Sequence, residues 1–199
     1  MGSFVFQSTE IEGLRLVAPM FHRDRRGDFS KTFEREAFAA HGVTLNAVEE
    51  LETSSSRNTL RGLHFQWRHS QDKLVRVLSG EVYDVAVDLR PDSGTFGKWQ
   101  GFTLSAKNRE MLYLPKGFAH GFLAREDNTV VHYLCGDRYD PGSEDGILWN
   151  DPKLGIGWPL DPGEAPLLSE RDQGFQTFWE FKQSLLKSMP RETGGNEIG

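Results

Sequence analysis

From residue 60 to residue 134, short apolar runs recur at near-regular spacing, at 74–78, 82–89, 99–104, 111–114 and 130–134. Ser79-Gly80, Pro91-Asp92, Lys107-Asn108, Pro115-Lys116-Gly117 and Asp127-Asn128 separate them, and all are turn-forming combinations. Many short strands broken by turn signals predict a mainly β protein, either a sandwich or a barrel. Upstream, 4–16 reads as two short strands around a Glu12-Gly13 turn, and 34–41 as a short helix stopped by Gly42. The stretch 48–56 reads as a strand running into a Ser-rich turn. Downstream, 140–166 is rich in Gly, Pro and Asp and is expected to be irregular. Residues 169–189 have partly helical spacing, with Phe175, Phe178, Trp179, Leu185 and Leu186 as a stripe for packing onto the body. The pattern therefore predicts one domain over 1–189 and a disordered tail over 190–199, where Ile198 is the one aliphatic residue.

Arg61-Gly62-Leu63-His64-Phe65-Gln66 alternates like a strand with one wet face. Strict alternation sends Arg61, Leu63 and Phe65 to one face and Gly62, His64 and Gln66 to the other. With Lys73 and Arg76 close behind, two guanidinium groups, an imidazole and an ammonium fall within 16 residues. Two readings fit: the polar outer face of a sheet, or the floor of an anion-binding pocket containing a base. A second basic cluster, His22-Arg23-Asp24-Arg25-Arg26-Gly27, marks a turn, and paired arginines there commonly belong to a solvated loop.

Bulk composition narrows the function classes. The 199 residues suit one domain with a substantial core. No apolar run approaches the roughly 20 residues that span a bilayer, and the first residues do not read as a signal peptide. Cys135 is the single cysteine, which fits a reducing cytoplasm. A net charge of −6 argues against general nucleic-acid binding, yet a local basic pocket for a small anion remains compatible with it. Neither a Gly-x-Gly-x-x-Gly fingerprint nor a Walker-type motif is present.

Leu112-Tyr-Leu-Pro-Lys-Gly-Phe-Ala-His120-Gly-Phe122 uses a proline and a glycine to present a histidine at a strand start. It resembles the second cupin motif, Pro-x-Gly-x-x-His. The place of the first motif holds His64-x-Gln66. A catalytic metal site wants about three protein ligands. His64 and His120 make two, and His69 and His132 are not spaced to join them. A metal-free pocket is expected.

A longer resemblance runs from about residue 4 to about residue 175. It comprises Asp24-x-Arg26-Gly27-x-Phe29, Leu60-Arg-Gly-Leu-His-Phe-Gln66, Lys73-Leu-Val-Arg-Val77, Gly80-x-Val-x-Asp84-Val-Ala-Val-Asp88-Leu-Arg90 and Ser93-x-Thr-Phe-Gly97-x-Trp99. The motif at 112–122 follows, then Tyr133 with Tyr139, Ile147-x-Trp149-Asn-Asp-Pro152, Trp158-Pro159 and Leu168-Ser-x-x-Asp172. In these motifs the chain resembles the dTDP-4-dehydrorhamnose 3,5-epimerase family. The resemblance implies a cupin-type jelly-roll β-barrel with short helices near both ends, usually a homodimer, cytoplasmic and free of metal or other cofactor. The implied substrate is a nucleotide-diphosphate 4-keto-6-deoxy sugar.

C3 and C5 of such a sugar both flank the C4 ketone, so either can lose a proton to give an enolate. Inversion then needs a base on one face and an acid on the other. The resemblance makes His64 the base, Asp172 its carboxylate partner, Tyr133 the acid and Lys73 the cation facing the enolate oxygen. It assigns Asp84 and His120 to a second pair lining the pocket, and Arg26 and Arg61 to the diphosphate. Gln66, Tyr139, Glu144 and Arg171 complete the substrate-binding set with Lys31. Taken by itself, Tyr133 reads as a core tyrosine with its hydroxyl at the rim.

Departures from the family pattern bear on specificity. Lys31 stands where an acidic nucleotide-binding residue is usual. Glu49-Glu50-Leu51-Glu52-Thr53 replaces a run that usually carries Gln-x-Asn, and Arg171 replaces the common Lys. A substrate altered in its base or lacking a sugar hydroxyl is expected. Inversion at C3 alone or C5 alone, a 3,4-ketoisomerase, and a catalytically dead sugar-nucleotide-binding cupin are the alternatives.

Overall fold

The computed structural model describes residues 3–188, so the expected tail over 190–199 lies outside the described residues. Two antiparallel sheets face each other. The first has six strands: β1 (Val5–Ser8), β2 (Arg15–Ala18), β5 (Glu49–Ser55), β7 (Lys73–Ser79), β10 (Met111–Leu114) and β12 (Thr129–Cys135), in the order β1-β2-β10-β7-β12-β5. The second has β6 (Leu60–Gln66), β8 (Glu81–Asp88), β9 (Trp99–Ser105), β11 (Phe118–Ala124) and β13 (Glu144–Gly146), in the order β13-β6-β11-β8-β9. This is the predicted jelly roll. β3 (Met20–Asp24) and β4 (Gly27–Lys31) form a separate hairpin from the basic stretch that reads as a loop in the sequence. Helix α1 is Arg35–Ala39, α2 is Glu170–Gln173 and α3 is Phe178–Ser188.

Alternation along the strands explains the layering. The inward faces bring Val75, Val77, Val82, Leu104, Leu112, Leu114, Phe118, Phe122 and Val131 into one buried cluster. The outer face of the six-stranded sheet, through Val17, Leu74, Met111 and Tyr113, is covered by Phe38 of α1. The outer face of the five-stranded sheet, through Leu63, Phe65, Val85 and Val87, is covered by α3. On α3 the covering stripe is Phe178, Phe181 and Leu185, spaced for one helix face. Trp179 and Leu186, expected in that stripe, are exposed instead, because the helix turns them to the opposite side. Phe181 takes their place, stacked on Trp67, and its burial contributes roughly 2–3 kcal/mol.

One register shift matters for function. β6 pairs with β11 so that His64 faces His120 and Arg61 faces Phe122. Two residues, Gly62 and Leu63, thus oppose the single Gly121, which is a bulge. Strict alternation fails at this point. Arg61 turns to the same face as His64, and only Leu63 and Phe65 go to the outer core. Gly62 has φ +130°, and a β-carbon there would come 2.5 Å from the Gly121 Cα, so the close approach of the two strands requires glycine.

Candidate active site

At one end of the barrel the inward face changes from apolar to polar and opens into a cavity of about 220 Å³. The strands deliver its lining. β6 supplies Arg61, His64 and Gln66; β7 supplies Lys73; β11 supplies His120 and Phe122; β12 supplies Tyr133 and Cys135; β5 supplies Leu51 and Thr53. Tyr139 and Glu144 close one side.

His64 lies on this wall with its Nε2 2.8 Å from Oδ1 of Asp172. Asp172 comes from α2, whose N-cap Ser169 accepts a hydrogen bond from the Asp172 amide at 3.0 Å. Burial alone would push the Asp172 carboxyl up. Its hydrogen bond and charge contact with His64, together with hydrogen bonds from the Gly62 N–H and Ser169, outweigh burial and hold it below the usual carboxylate range. An ionised carboxylate on Nε2 fixes the tautomer with Nε2–H donating, which leaves the lone pair on Nδ1. Phe175 meets the His64 ring edge to face at 5.4 Å and restricts its orientation. Gly146 is required beside it, since a β-carbon there would sit 2.5 Å from the Phe175 ring.

The second histidine is deeper. His120 Nε2 is 2.9 Å from both oxygens of Asp84, and both residues are buried. The Tyr133 ring packs against His120 at 6.0 Å, nearly perpendicular. Burial, with the nearby Asp84 charge, pushes the Tyr133 hydroxyl well above its ordinary pKa. The phenol therefore stays protonated over the working pH range and is available as a proton donor.

Lys73 sits opposite Cys135 in the β7–β12 register. Burial draws its ammonium below the ordinary lysine pKa, while the carboxylates of Glu144, Asp84 and Glu49 act to keep it charged. Burial pushes the Cys135 thiol up to about 11, so it is neutral there.

The rim is a network. Glu144 accepts from the Tyr139 hydroxyl at 2.8 Å and from the Arg171 guanidinium. Glu49 accepts from the Tyr139 amide at 2.8 Å and from the Gln71 side chain at 3.3 Å. Gln66 donates to the carbonyls of His69 and Arg138 and accepts from the Asp140 amide, so its side chain ties two loops together beside the cavity. Arg61 donates through Nε to Ser55 at 3.1 Å and presents its guanidinium to the cavity.

Two predicted site residues lie elsewhere. Arg26 and Lys31 are on the β3–β4 hairpin, paired with Asp24 at 2.7 Å and Glu34 at 2.8 Å, and neither lines the cavity of its own chain. Conversely, Leu51, Thr53 and Gln71 line the cavity without having been singled out as site residues. For Leu51 and Thr53 the signal is parity: in a strand from Glu49, residues 51 and 53 share a face, and Leu51 is the one apolar residue among glutamates; Gln71, in the loop before β7, carries no such signal. His69 and His132 stand outside the cavity, near Asp137 and Glu50 respectively. Among the described residues no group of three or more His, Cys, Asp or Glu is arranged to hold a metal ion.

A family model described as dTDP-4-dehydrorhamnose 3,5-epimerase matches residues 8–180. The chain belongs to this family. The dTDP-4-dehydrorhamnose 3,5-epimerase of Methanothermobacter thermautotrophicus is 43% identical over 180 residues, covering 90% of this chain and 97% of that protein. Among solved structures, an epimerase from Legionella pneumophila in complex with dTDP-4-keto-L-rhamnose is 40% identical. It superposes with a TM-score of 0.84 over 87% of this chain and 92% of that one. The 3'-monoepimerase ChmJ of Streptomyces bikiniensis, in complex with dTDP-quinovose, is 33% identical, with a TM-score of 0.83 over 90% of this chain and 91% of that one. The chain is thus an epimerase of the isomerase class, on a cupin jelly roll.

Proposed function

We propose that this protein epimerises a dTDP-linked 4-keto-6-deoxyhexose at C3 and C5, as in the making of dTDP-rhamnose. The observation that carries the roles is the hydrogen-bonded pair His64–Asp172 on one wall of a cavity whose lining also includes Tyr133 and Lys73. His64 Nδ1 takes the proton next to the ketone, and the C–H electron pair moves into the carbonyl to give an enolate. Asp172 stabilises the imidazolium that forms. The Lys73 ammonium faces the developing negative charge on oxygen, where a fixed cation is worth most. Tyr133 returns a proton to the opposite face, and the ketone re-forms. Arg61, on the same face as His64, binds the diphosphate, to which guanidinium forks are matched. His120 lines the deep wall with Asp84 bonded to it out of contact with the cavity, and Tyr139, Glu144, Arg171 and Gln66 shape the outer part of the site.

A single-centre reading is supported by likeness to ChmJ, a 3'-monoepimerase. One experiment separates the two. The protein is incubated with dTDP-4-keto-6-deoxyglucose in deuterium oxide and followed by NMR. Deuterium with inversion at both carbons supports the double epimerase, and deuterium at C3 alone supports the other. No exchange at either carbon would remove the enzyme reading for this substrate.

The quaternary proposal is a homodimer in which the β3–β4 hairpin packs on a second copy. The hairpin stands apart from both large sheets and exposes Phe29 to 59%. Light scattering coupled to gel filtration tests it, and a monomer at micromolar concentration would refute it. No helix among the described residues is long and apolar enough to cross a membrane. A cytoplasmic location is proposed with the enzyme, supported by its one unpaired, buried thiol.

A further inference from the structure

Thr53 holds one of two buried side-chain polar atoms that lack a hydrogen-bond partner among the described residues. A buried hydroxyl without a partner costs about 1–3 kcal/mol, so such a group calls for a reason. Its position supplies one. Thr53 faces the cavity from β5. In the β5–β12 register Tyr133 lies opposite Leu51 and Val131 lies opposite Thr53, so Thr53 is the diagonal neighbour of Tyr133 on the same inward face. Diagonal neighbours are within reach when one side chain is long and aromatic.

We infer that Thr53 is a positioning residue for Tyr133, with its hydroxyl held ready to donate a hydrogen bond to the phenolate that exists after Tyr133 has given up its proton. The inference rests on the proposed role of Tyr133. In the reprotonation step the Tyr133 O–H bond breaks and its electron pair stays on the phenolic oxygen. The enolate electron pair forms the new C–H bond, and the C4 carbonyl is restored. A negative charge is then left in a buried place near Asp84, where burial and the neighbouring carboxylate both oppose it. Donation from Thr53 and the field of Arg61 act in the opposite sense. In the resting enzyme the phenol is neutral and the interaction is weak, which fits a threonine hydroxyl without a well-formed bond. The interaction grows as charge develops, which is the condition for a group to accelerate a step. Solvent later returns a proton to the phenolate.

The test compares Thr53→Val, which keeps the shape and removes the donor, with Thr53→Ser, which restores it. Each is assayed in deuterium oxide for deuterium incorporation with inversion and for incorporation with retention, the latter reporting return from the His64 face. Expected for Thr53→Val is a fall of roughly 10- to 100-fold in the inversion kcat, the loss of one hydrogen bond to a charged group. Incorporation with retention and KM should stay within about twofold. Thr53→Ser should recover most of the inversion rate. The inference is overturned if Thr53→Val leaves inversion unchanged, if it slows both kinds of incorporation equally, or if it raises KM alone. The last outcome would mean that the hydroxyl binds ligand rather than serving Tyr133. If wild-type protein inverts no centre of any dTDP-4-keto sugar, the proposed function fails first, and this inference with it.

Discussion

His64 and Asp172 are 108 residues apart in the chain and 2.8 Å apart in space. The pairing decides which imidazole nitrogen can act, because a carboxylate on Nε2 leaves the basic lone pair on Nδ1. Removing either partner should have separable effects. His64→Ala is expected to cut deuterium incorporation at both carbons by roughly 10²- to 10⁴-fold, the usual weight of a general base. The fold should survive, since the His64 side chain is 31% exposed. Asp172→Asn keeps the shape but loses the charge, and should lower kcat with little change in KM. Circular dichroism and the NMR exchange assay check both, and retained exchange in His64→Ala would assign the base elsewhere.

Tyr133 is expected to serve only one face. Tyr133→Phe should leave deuterium incorporation with retention largely intact while inversion slows by about 10²-fold or more. The measurement is the ratio of deuterated starting epimer to deuterated product. A parallel fall in both would show that the tyrosine holds the substrate rather than supplying the proton.

Away from the cavity, Asp88 makes the acid stability of the barrel testable. Burial alone would raise its carboxyl, but hydrogen bonds from Arg90, Ser93 and Thr95 and from the Arg90 amide outweigh it and hold the group below its ordinary 3.8. A depressed folded pKa contributes stability that is present above the unfolded value and is lost as pH falls through the folded one. Asp88→Asn should therefore cost about 3 kcal/mol at pH 7, as for breaking a buried charge pair. The gap between variant and wild type should narrow below pH 3.8. Urea midpoints at pH 7 and pH 3 measure it, and a gap that does not change with pH would show that the charge is irrelevant.

Specificity should turn on Leu51, which faces Tyr133 across β5 and β12. Of its neighbours on that face, Glu49 is already hydrogen-bonded within the protein, and the Thr53 hydroxyl is, by the inference above, reserved for Tyr133. A sugar carbon beside Leu51 meets methyl groups, and a hydroxyl there loses its water without replacement, at a cost of about 1–3 kcal/mol. Substrates lacking the C2 or C3 hydroxyl are expected to be favoured. Leu51→Asn should shift the kcat/KM ratio by roughly 10-fold toward the fully hydroxylated sugar. An unchanged ratio for the two sugars would dismiss Leu51 as a selector.

The legible parts of the sequence were those governed by local rules. The strand runs at 74–78, 82–89, 99–104, 111–114 and 130–134 all became strands, because period-two burial and turn residues act over a few positions. The 34–41 helix shortened to Arg35–Ala39 but kept its stop at Gly42, which has φ +75°. The β6 bulge was not legible. Alternation assigned Arg61 to the wrong face, and only the pairing of Gly62 and Leu63 against Gly121 turns it inward. The partnership of His64 with Asp172 was equally invisible to periodicity, since a contact over 108 residues leaves no local trace; family resemblance supplied it. Leu51 is masked as a lining residue by the glutamates around it, although Glu50 and Glu52 alternate away from the face that Leu51 shares with Thr53.

The seat of Asp172 has a consequence for how heat should silence this protein. The segment from Leu167 to Gln173 joins the barrel through two backbone bonds at its start, Leu60 N–H to Leu167 O at 2.9 Å and Leu167 N–H to Asn58 O at 2.8 Å. A four-residue helix follows, held to β6 by Asp172 and to β13 by the Arg171 side chain on Glu144, with no backbone bond of its own to either strand. So short an element adds little helical stability of its own. Local opening should release the carboxylate while both sheets remain paired. Activity is then expected to fade several degrees below the melting temperature of the barrel, reversibly on cooling, with amides near Asp172 exchanging before those of β8 and β11. Coincident loss of activity and of sheet signal would show instead that base, partner and barrel come apart as one cooperative unit.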